Sequence, residues 1–332
     1  MELIPIAIVF VGFIICLVSL KFWIRKCREI GLVWEDMNKY KSPKNVAASG
    51  GLIVVFSFLL IVLFYVAFRT MFRDVDRVTI NLLSILIVVL IAGFVGFVDD
   101  MLGWKTRGLS SRVRIFLVLL SAIPLMVINA GDSLMNVPFF GVVNFGIFYA
   151  LILIPLGVVG VTTVYNFLAG FNGLEAGLGV LILSFLSYVS FVTGSAWLAV
   201  VGIGMVVCLI AFLIFNWTPA KVFGGDVLTY SIGALIASMA IVGNFEKIAF
   251  VVFIPFIVEM FLKLRGGLKK YSFGKANKDN SLSLKYNKIY GLTHFSIWFL
   301  SKFKKKVFER DVVLFIYFIE IVFIGIGFLM LG

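Results

Sequence analysis

Three short segments carry the side chains able to do chemistry. Asp99 and Asp100 stand in tandem at the end of an apolar run, in Gly96-Phe97-Val98-Asp99-Asp100. Asn166, Asn172 and Glu175 lie between Tyr165 and Gly177, a stretch punctuated by Gly170, Gly173 and Gly177. Asp226 follows Phe223-Gly224-Gly225. Adjacent carboxylates repel, so the tandem pair is stable only beside a cation or with a proton shared. Carboxylate and amide oxygens suit Mg²⁺, which usually takes one or two carboxylates and completes its shell with water and substrate phosphates. A Gly-Gly-Asp turn opening a helix offers free N–H groups to an anion. The combined chemistry is that of a divalent cation bridging a diphosphate.

Plainer readings stand beside that one. Two aspartates at a helix end are often solvated, a Gly-rich stretch can serve close helix packing, and Asp226 can simply complement a helix dipole. His294, the single histidine, lies in an amphipathic stretch and is read as structural. Cys16, Cys27 and Cys208 are too few for a disulfide framework and sit in or beside apolar runs, as packing residues. Trp23, Trp34, Trp104, Trp217 and Trp298 suit an interfacial aromatic belt.

The elements that must position these residues follow from composition. The chain has 332 residues, 62% of them hydrophobic and only 14% charged, with a mean hydropathy of +1.12. A water-soluble fold of this size cannot hide so much apolar surface, so lipid is the solvent. A soluble enzyme, a disulfide scaffold and a disordered chain are excluded. Apolar runs long enough to cross a bilayer fall at about 3–23, 46–68, 79–98, 112–130, 147–165, 176–193, 195–215, 226–243, 247–264 and 311–331. The pair around Gly194 could instead be one bent element. The expectation is an all-α polytopic membrane protein of about ten transmembrane helices, since lipid leaves backbone groups no other partner. With no internal repeat or low-complexity linker, residues 1–332 read as one integral-membrane domain. The first run is not a cleavable signal peptide, because Glu2 precedes it, its basic residues follow it and it is too long.

Basic residues set the orientation. The first loop carries Arg25, Lys26, Arg28, Lys39, Lys41 and Lys44, and the third carries Lys105, Arg107 and Arg112, with Arg114 just inside the next helix. The seventh has Lys221, and the ninth, at about 265–310, has twelve basic residues. Of the even loops, the second offsets Arg69, Arg73 and Arg77 with Asp74 and Asp76, and the eighth has only Lys247. Odd loops are therefore expected to be cytoplasmic and both termini non-cytoplasmic. All three polar segments then share the cytoplasmic face. An ionised group inside a bilayer costs about 2.5–3.5 kcal/mol, so acids gathered at one boundary call for a purpose. The net charge of +12 reads as topology and anionic head groups, with membrane lipids as partners and no nucleic acid.

Phe97-Val98-Asp99-Asp100, the run from Asn166 to Gly177 ending in Asn172-Gly173-Leu174-Glu175-Ala176-Gly177, and Asn216-Trp217 through Val222-Phe223-Gly224-Gly225-Asp226 resemble the polyprenyl-phosphate N-acetylhexosamine-1-phosphate transferases. The Asn-Gly-Leu-Glu-Ala-Gly ending is similar to the eukaryotic and archaeal dolichyl-phosphate branch. The likeness continues through Asp36-Met37-Asn38-Lys39, Ser283-Leu284-Lys285-Tyr286-Asn287-Lys288 and Glu309-Arg310.

That resemblance implies an integral-membrane transferase, in a cell membrane or the endoplasmic reticulum, with its site facing the cytoplasm. It implies transfer of GlcNAc-1-phosphate from UDP-GlcNAc to a polyprenyl or dolichyl phosphate, with UMP released. On the same likeness, Asp226 and Asn166 hold Mg²⁺ (or Mn²⁺), Asn172 bonds the uracil and Phe223 stacks on it. Asp99 and Asp100 position or activate the lipid phosphate, and Arg114 orients phosphate as a planar fork. Gly170, Glu175 and Lys39 are counted with the substrate-binding positions, as are Arg265, Lys269 and Lys270. The sequence departs from the family in lacking a histidine beside Arg265 in the ninth loop, and in placing Lys44 where the eukaryotic branch carries a glutamate. A homodimer is left open. The rival expectations are a secondary transporter of an anionic or nucleotide-sugar solute, a membrane scaffold, and a family member using another UDP-N-acetylhexosamine. Transporters usually show repeats and midplane polar sites, which this sequence lacks.

Overall fold

The computed structural model describes residues 3–72, 74–105, 108–137 and 141–331. Glu2, Arg73, Arg107 and the side chain of Lys105, used above, lie outside the described residues. The chain is built of helices α1 (Leu3–Ile30), α2 (Gly51–Phe72), α3 (Arg77–Lys105), α4 (Ser111–Ser121), α5 (Ile123–Val127), α6 (Ile154–Phe167), α7 (Leu174–Val192), α8 (Ala196–Asn216), α9 (Asp226–Gly243), α10 (Glu246–Val252), α11 (Ile254–Arg265), α12 (Leu292–Leu300) and α13 (Glu309–Leu329). A π-helical turn, Tyr149–Leu153, leads into α6.

Among the described residues, eight helices are long and apolar enough to cross a membrane, where ten continuous spans were expected. The expected runs at 112–130 and 247–264 are each broken, into α4 with α5 and α10 with α11. Both breaks precede a proline near the start of the second piece, Pro124 and Pro255. Proline has no N–H to continue the ladder, and its ring crowds the carbonyl four residues back. The pair around Gly194 is two helices, α7 and α8, separated at a glycine whose φ is +86°.

Helices do not account for every element. Among the described residues, three antiparallel strand pairs lie in loops expected to lack strands: β1 (Val33–Glu35) with β2 (Lys44–Ala47), β3 (Leu134–Val137) with β4 (Gly141–Asn144), and β5 (Lys275–Ala276) with β6 (Leu282–Ser283). The first matters most, because Ala47 at its end makes a parallel bridge to Val222.

The core is organised around α9, whose residues Val227 to Ile241 are all buried. A helix apolar on every side belongs inside a bundle, and its hydroxyls are satisfied internally: Ser231 donates to the Val227 carbonyl and Ser238 to that of Ala234, each at 2.7 Å. α3 and α6 pack against it closely. A Cβ at Gly96 of α3 would overlap the Asp226 backbone, and one at Gly233 of α9 would lie 2.6 Å from the Thr162 Cα in α6. Small residues at helix crossings permit such approach in a lipid-solvated bundle. As a result, the end of α3, the end of α6 and the start of α9 are drawn together.

Candidate active site

α9 begins at Asp226, and its N-cap, Gly225, has no side chain to bond the exposed N–H groups of the first turn. Asp100 of α3 performs that task from a distance. Its Oδ1 accepts the Asp226 N–H at 2.8 Å, and its Oδ2 accepts the Val227 N–H at 3.4 Å and the Ser49 hydroxyl at 3.2 Å. A carboxylate there is favoured by the positive end of the helix as well as by the hydrogen bonds. Gly225 permits this contact: its φ is +74° with ψ at 178°, and a Cβ would overlap the Asp100 carboxylate. That backbone region is essentially restricted to glycine and costs other residues about 1–3 kcal/mol. Gly225→Ala is therefore expected to lower the melting temperature and to cut kcat by about 10²-fold through displacement of Asp100. Thermal unfolding and steady-state rates on the same preparation check it.

Asp99 faces the other way. Arg114 Nη1 donates to Asp99 Oδ2 at 3.0 Å and approaches Asp226 Oδ2 at 3.4 Å, so one guanidinium nitrogen joins α3, α4 and α9. The Leu109 N–H also donates to Asp99. Asp99 and Asp226 thus share Arg114, their single ion-pair partner among the described residues, while Asp100 reaches Asp226 only through its backbone N–H. The all-oxygen donor set suits a hard divalent cation. No group of three or more acidic, histidine or cysteine side chains closes around one point among the described residues. A site of that kind is left for water and substrate phosphates to complete.

Asn166, in the last turn of α6, reaches the same place through α9. Its Oδ1 accepts the Thr229 hydroxyl at 2.9 Å, and that hydroxyl also lies 3.2 Å from the Asp226 carbonyl. Phe223 is held by backbone pairing with the last residue of β2 and the segment that follows it. Phe223 N–H donates to the Ala47 carbonyl at 2.8 Å, Gly50 N–H to that of Phe223 at 2.8 Å, and Gly51 N–H to that of Gly224 at 3.0 Å. Its ring is half-buried and makes none of the ring–ring contacts found among the described residues.

Four other expected substrate residues, Asn172, Lys39, Glu175 and Gly170, are engaged by protein groups, chiefly Asp36, Asn38 and Glu309. Asn172 is 3% exposed; its Nδ2 donates to Asp36 at 3.0 Å and its N–H to Glu309 at 2.9 Å. Its amide is turned into the protein in this structure, where an open uracil contact was expected. Lys39 pairs with Glu309 and, at 3.9 Å, with Asp36, and donates to Thr218 at 3.2 Å. Glu175 accepts the Gly170 N–H at 2.7 Å, and the Gly170 carbonyl accepts Asn38 Nδ2 at 3.0 Å. Physically, these side chains shape the α6–α7 loop that follows Asn166.

The ninth-loop cations form a separate group. Arg265 lies over the Tyr290 ring at 5.8 Å, and Lys270 over Tyr286 and Tyr290 at 5.1 and 5.9 Å. Lys270 also lines a cleft of about 360 Å³ with Lys285, Tyr286, Asn287, Lys288 and Tyr290. Lys269 is exposed. Among the described residues none of these three cations is paired with Asp99, Asp100 or Asp226. The loop meets the α6–α7 turn through Phe273, whose ring covers Gly170. His294 pins Phe273: its Nδ1 accepts the Tyr290 N–H at 3.4 Å, so Nε2 carries the proton offered to the Phe273 carbonyl at 3.3 Å. Burial holds its pKa below the ordinary histidine value, consistent with a neutral structural ring.

Sequence reasoning missed Ser49 and Thr229, and saw Asp36, Asn38 and Glu309 without a role. Ser49 had one available signal, its place before Gly50-Gly51 at the start of an apolar run.

Residues 82–244 match the family model described as glycosyl transferase family 4. A protein of Sulfolobus acidocaldarius is 34% identical over 95% of this chain and 92% of its own length, and one of Saccharolobus solfataricus is 34% identical over 95% and 93%. Both carry the provisional name UDP-N-acetylglucosamine–dolichyl-phosphate N-acetylglucosaminephosphotransferase. A phospho-N-acetylmuramoyl-pentapeptide-transferase of Clostridium perfringens is 31% identical over 63% of this chain and 65% of its own.

Proposed function

Because this chain belongs to glycosyl transferase family 4, we propose that it is the transferase that moves GlcNAc-1-phosphate from UDP-GlcNAc to a polyprenyl phosphate of the dolichyl type. The products are a polyprenyl-diphosphate-GlcNAc and UMP, the first step of lipid-linked glycan assembly. The transferase domain is the whole chain, 1–332, and its site faces the cytoplasm, as the lysines and arginines of the odd loops favour. The observation that carries the reading is the joining of Asp99 and Asp226 through Arg114, with Asp100 accepting the first N–H of the helix that Asp226 opens. Relatives over nearly the full length are named as transferases, which favours this over a secondary transporter.

Asp226 and Asn166 are the residues that would hold a divalent cation, Mg²⁺ or Mn²⁺. Bound there, the ion supplies charge neutralisation to the diphosphate and the departing UMP. Arg114 keeps a planar donor fork beside Asp99 and Asp226, suited to a phosphate oxygen. A phosphate monoester has a second pKa of about 6, so the acceptor is largely dianionic at neutral pH. One of its oxygens forms the new bond to the β-phosphorus as the bond to the UMP oxygen breaks, and no proton has to be removed first. Both Asp100 oxygens are engaged by three donors, and Asp99 by Arg114 and Leu109. Neither is a free nucleophile, which favours direct attack over an aspartyl-phosphate intermediate. The two aspartates instead place Asp226 and Arg114. Such positioning and charge neutralisation supply most of the acceleration in phosphoryl transfer.

Phe223 offers its ring to the uracil. Phe223→Ala is expected to raise the UDP-GlcNAc KM by about tenfold with kcat nearly unchanged, since base stacking on an aromatic contributes about 1–3 kcal/mol. An unaltered donor KM would remove the ring from the nucleotide site. The activity itself is tested with purified protein in detergent. UMP should appear only when UDP-GlcNAc, a polyprenyl phosphate and a divalent cation are all supplied. UDP-N-acetylmuramoyl-pentapeptide serves as the competing donor.

A further inference from the structure

Glu309 opens α13 and is 3% exposed. Its two oxygens gather four donors from three separate loops. Oε1 accepts the Asn172 N–H at 2.9 Å and Asn38 Nδ2 at 3.2 Å, while Oε2 accepts the Thr218 hydroxyl at 3.0 Å and the Lys39 ammonium. These partners lie 137, 271, 91 and 270 residues away in sequence. Each loop leads to a residue of the proposed site. Asn172 follows Asn166, Thr218 precedes Phe223, and Asn38 with Lys39 stand before the hairpin strand that braces Phe223.

We propose that Glu309 is a positioning residue for the nucleotide-sugar subsite, acting through the Asn172 backbone and Thr218 without touching substrate. This rests on the donor reading above. A purely structural role accounts poorly for the arrangement. α13 packs through Val312, Val313 and Ile316, whereas every side-chain and backbone donor named above comes from a loop. Loss of the carboxylate therefore frees the loops before it loosens the helix. Charge-assisted bonds to a buried acceptor are the stronger kind, and a partner left unmatched pays the full desolvation cost.

Glu309→Gln tests this. The glutamine carbonyl still serves Asn172 and Asn38, but its NH₂ faces the Lys39 ammonium and the Thr218 hydroxyl. The UDP-GlcNAc KM is expected to rise about 10- to 100-fold, with kcat and the polyprenyl-phosphate KM within about threefold of wild type. Hydrogen exchange of the full-length protein is expected to quicken across residues 168–173 and to stay unchanged at 312–316. Glu309→Asp, which keeps the charge, recovers part of the donor KM. Thr218→Val, which removes a single donor, moves the donor KM in the same direction by a smaller factor and serves if the glutamine variant does not fold. An unchanged donor KM in either variant, or faster exchange spread evenly through α13, overturns the proposal. If the wild type itself yields no UMP from UDP-GlcNAc, the donor reading falls, and the exchange pattern at 168–173 alone decides whether Glu309 positions that loop.

Discussion

Asp226→Asn purifies as a folded protein and turns over at least about 10³-fold more slowly, a loss of roughly 4 kcal/mol in transition-state stabilisation. The fold should survive because the substitution is isosteric and the helix start does not depend on this side chain. Asp100, not Asp226, accepts the first N–H groups of α9, and the neighbouring Val227 to Ile241 remain buried. What is lost is one carboxylate oxygen beside Arg114. An amide oxygen is a weaker ligand for a hard divalent cation than a carboxylate oxygen. The loss should lie in kcat and in the concentration of divalent cation needed for half-maximal rate, with little change in melting temperature. A variant with normal turnover and normal metal dependence would remove Asp226 from the metal site.

Asp100→Asn should also be severe, by about 10²- to 10³-fold in kcat, but for a different reason. The amide can still accept the Asp226 N–H, yet its NH₂ would face either the Val227 N–H or the Ser49 hydroxyl, both of which now donate to Oδ2. The start of α9 would lose a cap charge of the kind that contributes about 0.3–1 kcal/mol to helix stability. It would also shift relative to Asp99 and Arg114. A modest fall in melting temperature should therefore accompany the loss of rate, unlike Asp226→Asn. Trapping with labelled lipid phosphate or UDP-GlcNAc should leave no phosphate on the wild-type protein, as direct attack requires. A covalent phosphoprotein that disappears in Asp100→Asn would reverse the assignment of that residue from positioning to nucleophile.

The polar ends of α3, α6 and α9 were legible because lipid punishes unpaired charge, so acids and amides at the ends of apolar runs stand out. Two spans were expected on either side of Gly194, with one bent element left open, and the positive φ of that glycine separates them. Window hydropathy averaged across Pro124 and Pro255, hiding breaks that backbone chemistry dictates, and two expected spans became helix pairs. The inward turn of Asn172 was not legible. It depends on Asp36 and Glu309, 136 and 137 residues away, and no periodicity in the chain encodes such pairings. Lys39 was counted with the substrate-binding positions on the family likeness; its partner Asp36 stands three residues away in the same motif, whereas Glu309, 270 residues away, was not legible as a partner. Ser49 went unread because its importance lies in a left-handed backbone, φ +49°, that presents its hydroxyl to Asp100.

The central claim is that Asp226 and Asn166, from separate helices, hold one divalent ion that also meets the sugar-nucleotide diphosphate. Electron paramagnetic resonance of Mn²⁺ added to the purified protein with UDP-GlcNAc tests it most directly. The account predicts phosphorus hyperfine coupling on protein-bound Mn²⁺ in the wild type, and its loss in Asp226→Asn at the same metal and nucleotide concentrations. Coupling of equal strength in both proteins would contradict it.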